Sequence, residues 1–438
     1  MRFFLFLVLI FFGFIETVNS QTNINGVISH DTSLTLLNSP YFVTDSLVLD
    51  SGVTLVIEPG VTIQFNDSTF FRVRGILKSL GTISDSITFT FDTASSNQGN
   101  WGGISFKPGS RGYFNYCNIN NYNIGISAFS DSINVKNTIL TKGNIGILTN
   151  NGTVCIDSCI LSKNNTGFKG SCKITNCIFQ NDTIGLFTHY FTLNRGYISN
   201  CTIINCQTGI LSGGHMTIKN CIIKNCNGKG IERWSNMSTP LDTIINNEIK
   251  YNYFGVYDFG SPAAVYKNNA IEFNNIGFRL EGTHNAISCN KICNNLTYDF
   301  YNNVPVDINL SNNYWCLNDS STIADHIYDW YDNHSSGRVI FFPFDTSQCN
   351  FITNIDVTKI QKIEVNVYPN PATDFLIIQL PVINNAQIKI FNMIGQLMLN
   401  RKAESSNQKL NISDIERGLY FIEIIYDNKN IRSRFIKQ

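Results

Sequence analysis

The residues best suited to chemistry lie between positions 187 and 281, at fixed offsets from a series of glycines. Two and four residues after the glycines stand aromatic and ionisable side chains: Phe187, His189, Glu232, Trp234, Tyr257, Phe259, Arg279 and Glu281. On a β-strand, alternation would place both offsets on the same outward face. Exposed aromatic side chains beside a few charges suit stacking against sugar rings. We therefore predict ligand binding by the aromatic residues and His189, unless loops such as 235–242 cover them as a satellite core.

Four residues of this segment could act in catalysis: Glu232, Asp258, Arg279 and Glu281. A glycosidase needs two carboxyl groups at a defined separation, and a calcium-dependent lyase needs several acidic side chains around the ion. Glu232, Asp258 and Glu281 could form that set, although alternation turns Asp258 away from both glutamates. Arg233 and Asp258 occupy equivalent positions, so they form either a buried ion pair or an acid–base group with Glu232 and Arg279. Catalysis is therefore the weaker hypothesis, and no cofactor is predicted unless a lyase binds calcium.

These residues belong to an internal repeat that covers residues 114–315. Each unit reads apolar, two residues, a small residue or Asn, one residue, apolar, as in Ile174-Thr175-Asn176-Cys177-Ile178-Phe179. Successive units are 18 to 26 residues apart, and a glycine usually follows the fourth position by eight residues. A fixed offset within a variable period indicates that each unit is one structural turn. A period near 22 residues, with several short strands per turn, predicts an all-β fold, a right-handed parallel β-helix.

Stacked coils should align equivalent residues into columns. Two columns are apolar and should face the interior, one from Phe114 to Leu310 and the other from Ile119 to Trp315. A third column contains mostly asparagine: Asn137, Ser158, Asn176, Asn200, Asn220, Asn246, Asn268 and Asn312. Asparagine tolerates the left-handed backbone of a tight bend, and stacked amides can hydrogen-bond between coils. This column gives a structural reason for part of the excess of asparagine, which makes up 58 of 438 residues.

The chain has 13 cysteines. Five share one interior column: Cys117, Cys159, Cys177, Cys201 and Cys221. We predict stacked free thiols there because a thiol is small and apolar, although adjacent coils are close enough for a Cys201–Cys221 bridge. Cys316 and Cys349 flank the closing loop and are the predicted disulfide. No metal site is predicted, because CxxC pairs are absent from the sequence and the histidines do not cluster with cysteines.

Segments on both sides of the repeat resemble the pectate-lyase-like and NosD-like β-helix superfamily. Residues 53–65 and 101–104 are similar to the opening coils of bacterial β-helix proteins, and residues 337–343 resemble the closing coil. The resemblance implies that a substrate lies across the strand that begins after the glycines. Of the motifs that polygalacturonases share, this sequence has only the fragment Gly214-His215-Met216, and its spacing is wrong for that family.

Both ends of the chain carry features of export. Residues 3–15 form an apolar run typical of a secretory signal peptide, with predicted cleavage after Ser20. The run Val367-Tyr368-Pro369-Asn370-Pro371 and the later Gly418-Leu419-Tyr420-Phe421 resemble the type A C-terminal sorting domain of the type IX secretion system of Bacteroidetes. That resemblance implies recognition of residues 363–438 by the secretion machinery and delivery outside the cell.

The predicted organisation has five parts. These are a signal peptide (1–20), an N-terminal cap with the first coils (21–113), the repeats with their closing coil and cap (114–350), a linker (351–362) and a small β-sandwich (363–438).

Composition narrows the function further. The chain has 32 basic and 32 acidic residues, a balance that argues against nucleic acid as a partner. After the leader, no segment reaches the length of a membrane-spanning helix, and we expect a monomer. We favour a secreted or surface-displayed, non-catalytic protein that binds glycans or neighbouring surfaces. The alternative is a polysaccharide lyase or glycoside hydrolase that uses the outward face of the β-helix.

Overall fold

In a computed structural model, the chain divides into two compact units, Met1–Phe351 and Ile352–Gln438. The structure describes residues 22–92, 99–128, 132–149, 154–188, 196–234, 242–260, 264–282, 286–347, 349, 366–379, 386–392, 396–426 and 429–438. The predicted signal peptide and the predicted linker 351–362 lie outside these residues.

The first unit is a parallel β-helix in which successive coils add strands to three parallel sheets, called A, B and C in chain order. Among the described residues, sheet A has 13 strands: Thr22–Asn23, Tyr41–Val43, Thr62–Phe65, Ile87–Phe91, Cys117–Asn120, Ile139–Thr141, Ile160–Ser162, Ile178–Gln180, Thr202–Ile204, Ile222–Lys224, Glu248–Lys250, Ala270–Glu272 and Lys291–Cys293. Sheet B, within the same residues, has 14: Gly26–Ile28, Leu47–Leu49, Phe70–Val73, Gly103–Phe106, Ile124–Ala128, Ile145–Thr149, Thr166–Gly170, Ile184–Thr188, Thr208–Ser212, Lys229–Arg233, Phe254–Asp258, Ile276–Leu280, Tyr298–Asn302 and Ile327–Tyr328.

Sheet C has 12 strands in the described ranges: Thr32–Leu34, Thr54–Ile57, Ile76–Leu80, Arg111–Asn115, Ser132–Lys136, Val154–Asp157, Lys173–Thr175, Gly196–Ser199, Met216–Lys219, Asp242–Ile245, Ala264–Lys267 and Ala286–Ser288. A short 3₁₀-helix spans Leu36–Asn38, an α-helix spans Ser320–Asp325, and Ile308–Asn309 pairs with Val339–Ile340. The parallel β-helix predicted from the repeat is therefore confirmed.

Both predicted apolar columns are buried along their whole length, from Phe114 to Leu310 and from Ile119 to Trp315. The recurrent glycine has a steric cause. A Cβ atom placed on Gly209 would lie 2.6 Å from the carbonyl oxygen of Gly230 on the next coil. The backbone of one coil thus fills the space that a side chain would need, which explains the fixed position of this glycine.

Two bends per coil use a residue in the left-handed region. The predicted asparagine column forms the bend from sheet C to sheet A, with φ between 47° at Asn137 and 60° at Asn312. A second column, from sheet A to sheet B, was not predicted: Asn121, Lys142, Lys163, Asn181, Asn205, Asn225, Tyr251, Phe273 and Asn294. Its residue types vary too much to stand out as a column in the sequence.

Hydrogen-bonded asparagine ladders occupy the interior, one residue beyond the first bend. The Nδ2 atom of Asn247 donates to Oδ1 of Asn269, that of Asn269 to Asn290, and that of Asn290 to Asn313, at 2.9–3.1 Å. Each Oδ1 also accepts the backbone N–H of the asparagine on the preceding coil. A second ladder joins Asn252, Asn274, Asn295 and Asp299. The excess of asparagine therefore has two structural causes, bends and interior ladders.

In earlier coils the position of the first ladder holds buried free thiols, as predicted, and Cys201 and Cys221 are both free. The predicted Cys316–Cys349 disulfide is wrong. Cys316 is bonded to Cys293, whose Cα atom lies 5.9 Å away because the two residues stand at the same corner of adjacent coils. Cys349 is a free thiol.

The second unit contains two antiparallel sheets. One pairs Asn366–Tyr368, Phe375–Gln379 and Asn407–Asn411, and the other pairs Leu397–Lys402, Gln387–Phe391, Gly418–Tyr426 and Lys429–Lys437. Apolar side chains from both sheets, including Ile378, Ile390 and Ile422, form its own buried core.

Candidate functional site

One outward column of side chains runs along sheet B. Backbone pairing places its members in register, coil after coil: Ser127, Leu148, Lys169, Phe187, Leu211, Glu232, Tyr257, Arg279, Tyr301 and Tyr328. From Glu232 onward every member is charged or aromatic. A neighbouring column, three residues earlier on the same strands, contains Lys229, Phe254, Ile276 and Tyr298.

We call the charged and aromatic members of these later coils the aromatic–charged face. It consists of Lys229, Glu232, Phe254, Tyr257, Arg279, Tyr298, Tyr301 and Tyr328.

Tyr257 lies between two cations on this face. The Nζ atom of Lys229 is 4.8 Å from the centroid of the Tyr257 ring, and the guanidinium carbon of Arg279 is 5.5 Å from it. Arg279 also lies 4.8 Å from the ring centroid of Tyr301. These are cation–π distances, so the rings and the cations hold one another in place.

Each cation also has a carboxylate partner. Lys229 forms an ion pair with Glu232 on its own strand. The Nε and Nη2 atoms of Arg279 contact Oε1 of Glu281 at 2.7 Å and 2.6 Å, and Asn303 donates to the other oxygen of Glu281 at 2.7 Å. The charged side chains remain accessible, with 29% of Lys229 and 27% of Arg279 exposed.

The tyrosines at the end of the face form a stacked cluster. The rings of Tyr301 and Tyr328 are parallel with centroids 4.1 Å apart, and Tyr298 meets both edge-on. Burial, together with hydrogen bonding to Tyr328, raises the pKa of Tyr301 to about 12. Burial also raises the pKa of Tyr257. These phenols are therefore neutral at physiological pH and can donate hydrogen bonds.

The predicted ligand-binding residues fall into two groups. Phe259 is 43% exposed and packs 5.7 Å from Tyr257, at the border of the aromatic–charged face. Phe187 lies on an earlier coil and pairs at 6.4 Å with Trp234, which follows Arg233 on the first coil of the face. Both side chains are partly buried, and Lys169 lies over Phe187. His189 and the loop 235–241 lie outside the described residues.

Asp258 lies inside the β-helix and is separate from this face. It is fully buried, and its Oδ1 atom is 3.0 Å from Nη1 of Arg233, whose Nε contacts Asp242 at 2.9 Å. The hydroxyl group of Tyr266 donates to the other oxygen of Asp258 at 2.7 Å. The prediction of a buried ion pair is confirmed, and the alternative acid–base group with Glu232 and Arg279 is wrong.

The acidic residues proposed for calcium do not converge, because Asp258 points inward while Glu232 and Glu281 contact cations on the outside. Within the described residues, two groups could share a metal ion: Glu272, Cys293 and Cys316, and Cys289, Asp345 and Cys349. Neither group contains a residue of the aromatic–charged face. In the first group, the two cysteines form the disulfide and Glu272 pairs with Lys250 and Lys291.

Several residues of the face were missed in the sequence: Lys229, Phe254, Tyr298, Tyr301 and Tyr328. Asp299 stands where other coils have the marker glycine, so the glycine offset did not detect the strand Tyr298–Asn302. The 22-residue spacing from Arg279 to Tyr301 would have revealed it.

Comparison with known proteins assigns the C-terminal unit. Residues 366–438 match the secretion system C-terminal sorting domain family. The chain is a β-helix protein with a sorting tail for the type IX secretion system, which directs it to the cell surface or outside the cell. Within the described residues, no helix has the length and apolar character needed to cross a membrane.

Two individual proteins are similar to this chain. Over 86 residues, 19% of this chain and 16% of the relative, it is 33% identical to ulvan lyase NLR42 of Nonlabens ulvanivorans. It also resembles a double mutant of the tailspike protein of E. coli bacteriophage HK620, solved with a pentasaccharide, at 9% identity over 94% of this chain and 86% of that chain. The TM-score of 0.28 is too low for this second similarity to inform fold or function.

Proposed function

We propose that the aromatic–charged face binds a polysaccharide chain and does not cleave it. The observation that carries the proposal is the alignment of Tyr257, Arg279, Tyr301 and Tyr328 on successive coils, with Lys229 over the ring of Tyr257. Coils lie about 4.8 Å apart, so the face extends about 20 Å along the β-helix. This length accommodates several sugar units, and aromatic and polar groups recur along it.

Three features favour binding over catalysis. Tyr257 and Tyr301 have raised pKa values, so neither is a ready base at neutral pH. Glu232 and Glu281 are each engaged by a cation on their own coil. Asp258, the third acidic candidate, is enclosed in the core.

A polysaccharide lyase is the second candidate, because Arg279 beside Tyr257 could in principle hold an acidic sugar next to a phenol. The chain spans about one sixth of the ulvan lyase that it resembles, so this similarity by itself does not carry the relative's named activity over to this chain.

The test uses the full chain and a panel of acidic and neutral polysaccharides in affinity electrophoresis. We expect retention by at least one polymer, with the affinity reduced about tenfold or more by Arg279→Ala and by Tyr257→Ala. Lys169→Ala is the matched control, since Lys169 lies in the same outward column on an earlier coil. Because the proposed binding requires no metal ion, a chelator should leave retention unchanged.

Product formation separates the two functions. Retention without new reducing or unsaturated ends supports binding. Release of such ends, abolished by Arg279→Ala, would establish a lyase or hydrolase instead. Failure of every polymer to be retained would refute both functions for this face.

A further inference from the structure

Four cysteines surround the closing coil, and two of them are not yet paired. Cys293 and Cys316 form the disulfide, while Cys289 and Cys349 are free and only partly buried. The Sγ atoms of Cys289 and Cys349 and a carboxylate oxygen of Asp345 all lie within 4.8 Å of one another. Most other cysteines are buried in the stacked coils, so the thiols near the closing coil form a distinct group.

The position of Cys289 follows from the bend in which it lies. It occupies the left-handed corner that asparagine takes in most coils, with φ of 56°. Its backbone N–H donates to the carbonyl oxygen of Asn312 at 2.6 Å, and the N–H of Asn312 donates to that of Pro343 at 2.7 Å. The chain around Pro343 is thus stacked on the coil of Asn312, which is stacked on the coil of Cys289.

Cys349 lies at the end of the segment that follows Pro343, which we call the closing segment. Its thiol reaches back past the coil of Asn312 to Cys289. Its thiol donates to Oδ2 of Asp345 at 2.9 Å, and the backbone of Asp345 pairs with Tyr314 on the intervening coil. A covalent bond at this point would fasten the last described residues of the β-helix across two coils.

We propose that Cys289 and Cys349 form a second disulfide when the protein is exported, and that this bond locks the closing segment onto the β-helix. Exported proteins meet oxidising conditions, in which close and accessible thiols pair. The oxidant is a disulfide-bearing thiol oxidase or a small-molecule disulfide. The Cys289 thiolate attacks that disulfide and releases one of its sulfurs as a thiol. Cys349 then attacks the Cys289 sulfur of the resulting mixed disulfide as its proton passes to Asp345. The bond between Cys289 and the oxidant's second sulfur breaks, and that sulfur leaves as a thiolate that takes up the proton, so the oxidant is reduced by two electrons.

A metal ion is the competing occupant, since two thiols and a carboxylate can bind zinc. Thiol ligands must lose their protons to bind a metal. Burial and the hydrogen bond to Asp345 raise the pKa of Cys349 to about 12. Disulfide formation and metal binding both require the loss of this proton, so the thiol count and the zinc content distinguish them.

The experiment counts thiols in the exported protein after alkylation under denaturing conditions. Of 13 cysteines, 11 are free when only Cys293–Cys316 is formed, and nine remain free if the second bond is present. Non-reducing peptide mapping should recover both linked peptides, with Cys293–Cys316 as the internal positive control. Eleven alkylated thiols would overturn the proposal, as would stoichiometric zinc whose removal makes Cys289 and Cys349 alkylatable.

A variant tests the locking effect. Cys349→Ser should increase the rate of proteolytic cleavage within residues 340–349 about fivefold, because the segment can then detach locally. Cys155→Ser removes another partly buried free thiol on a distant coil and should leave that rate unchanged. Equal cleavage rates for the wild type and Cys349→Ser, despite a mapped bond, would refute the lock.

Discussion

The coils before and after residue 228 have the same backbone arrangement but carry different side chains at equivalent interior positions. In the early coils, residues 117–226, thiols occupy an interior column that the late coils, residues 229–313, fill with a ladder of asparagines. At another inward position the early coils carry small hydroxyl residues, such as Thr188 and Ser212, and the late coils begin with Arg233 and Asp258. The aromatic–charged face starts on the same coil, at Glu232.

The asparagine ladder and the aromatic–charged face therefore occur on the same coils, and this suggests a reason for the ladder. A thiol column contributes apolar packing, whereas each ladder asparagine fixes the position of the coil on either side through several hydrogen bonds. A face whose side chains must stay aligned over several coils gains from that rigidity. The early coils, which carry a mixed outward column, do not need it.

The largest expected effect comes from Arg233. Replacing it by Met should lower the free energy of unfolding by about 4 kcal/mol, because Asp242 and Asp258 would remain buried without their cation. Chemical denaturation at neutral pH measures the loss. Adding Asp258→Asn to Arg233→Met should recover part of it. A loss below about 1 kcal/mol would show that the core of the late coils does not depend on this ion pair.

A matched pair of substitutions compares the two interior columns. Asn269→Ala should cost about 3 kcal/mol, because it removes the acceptor for Asn247 and the donor to Asn290 and to the carbonyl oxygen of Ile244. Cys201→Ala, at the equivalent early position, should cost about 1 kcal/mol, because it loses packing and the weak hydrogen bond from the thiol to the carbonyl oxygen of Ser199. Equal costs in thermal or chemical unfolding would contradict the view that the ladder holds the late coils together.

The fold was predictable because the same pattern is repeated about ten times, so errors at one coil are corrected at the next. The apolar columns and the bend asparagines were found in this way. The aromatic–charged face was only partly predicted, because Tyr301 lies on a coil whose glycine is replaced by Asp299. Ion pairing of Arg279 with Glu281 depends on side-chain direction, which spacing does not give. The Cys293–Cys316 bond was missed because Cys293 lies at the end of a strand and off the thiol column.

Asp182 is an interior residue of the early coils, in a column that the late coils fill with asparagines. It occupies the column of the second ladder, where Asn164 precedes it and Cys206 follows. Its Oδ1 accepts from the N–H of Asn164 at 2.7 Å, but its buried Oδ2 has no hydrogen-bond partner among the described residues. Burial raises its pKa from 3.8 to about 8. Folding therefore requires a protonated carboxyl group in a pH range where the unfolded chain carries a carboxylate.

The sign of the pH dependence follows. Below about pH 4 both states hold the proton, and as pH rises towards 8 only the folded state does, so stability falls across this window. Asp182→Asn should remove that fall and stabilise the protein by about 2 kcal/mol at pH 7. By column equivalence, its amide can donate to the carbonyl oxygen of Leu161, as Asn164 does to that of Leu140. Unfolding curves at pH 5 and pH 8 measure both effects, and a variant less stable than wild type at pH 8 would refute the argument.

The smallest expected effect concerns the second bend, which both halves share. Lys142 adopts φ of 61° in an early coil, whereas Asn205 and Asn225 fill equivalent corners with the residue that tolerates this backbone best. Lys142→Asn should therefore raise the free energy of unfolding by about 0.5 kcal/mol. Asn205→Lys, the reverse change at an equivalent corner, should lower it by a similar amount. If both substitutions destabilise equally, side-chain contacts rather than backbone conformation decide which residues occupy this bend.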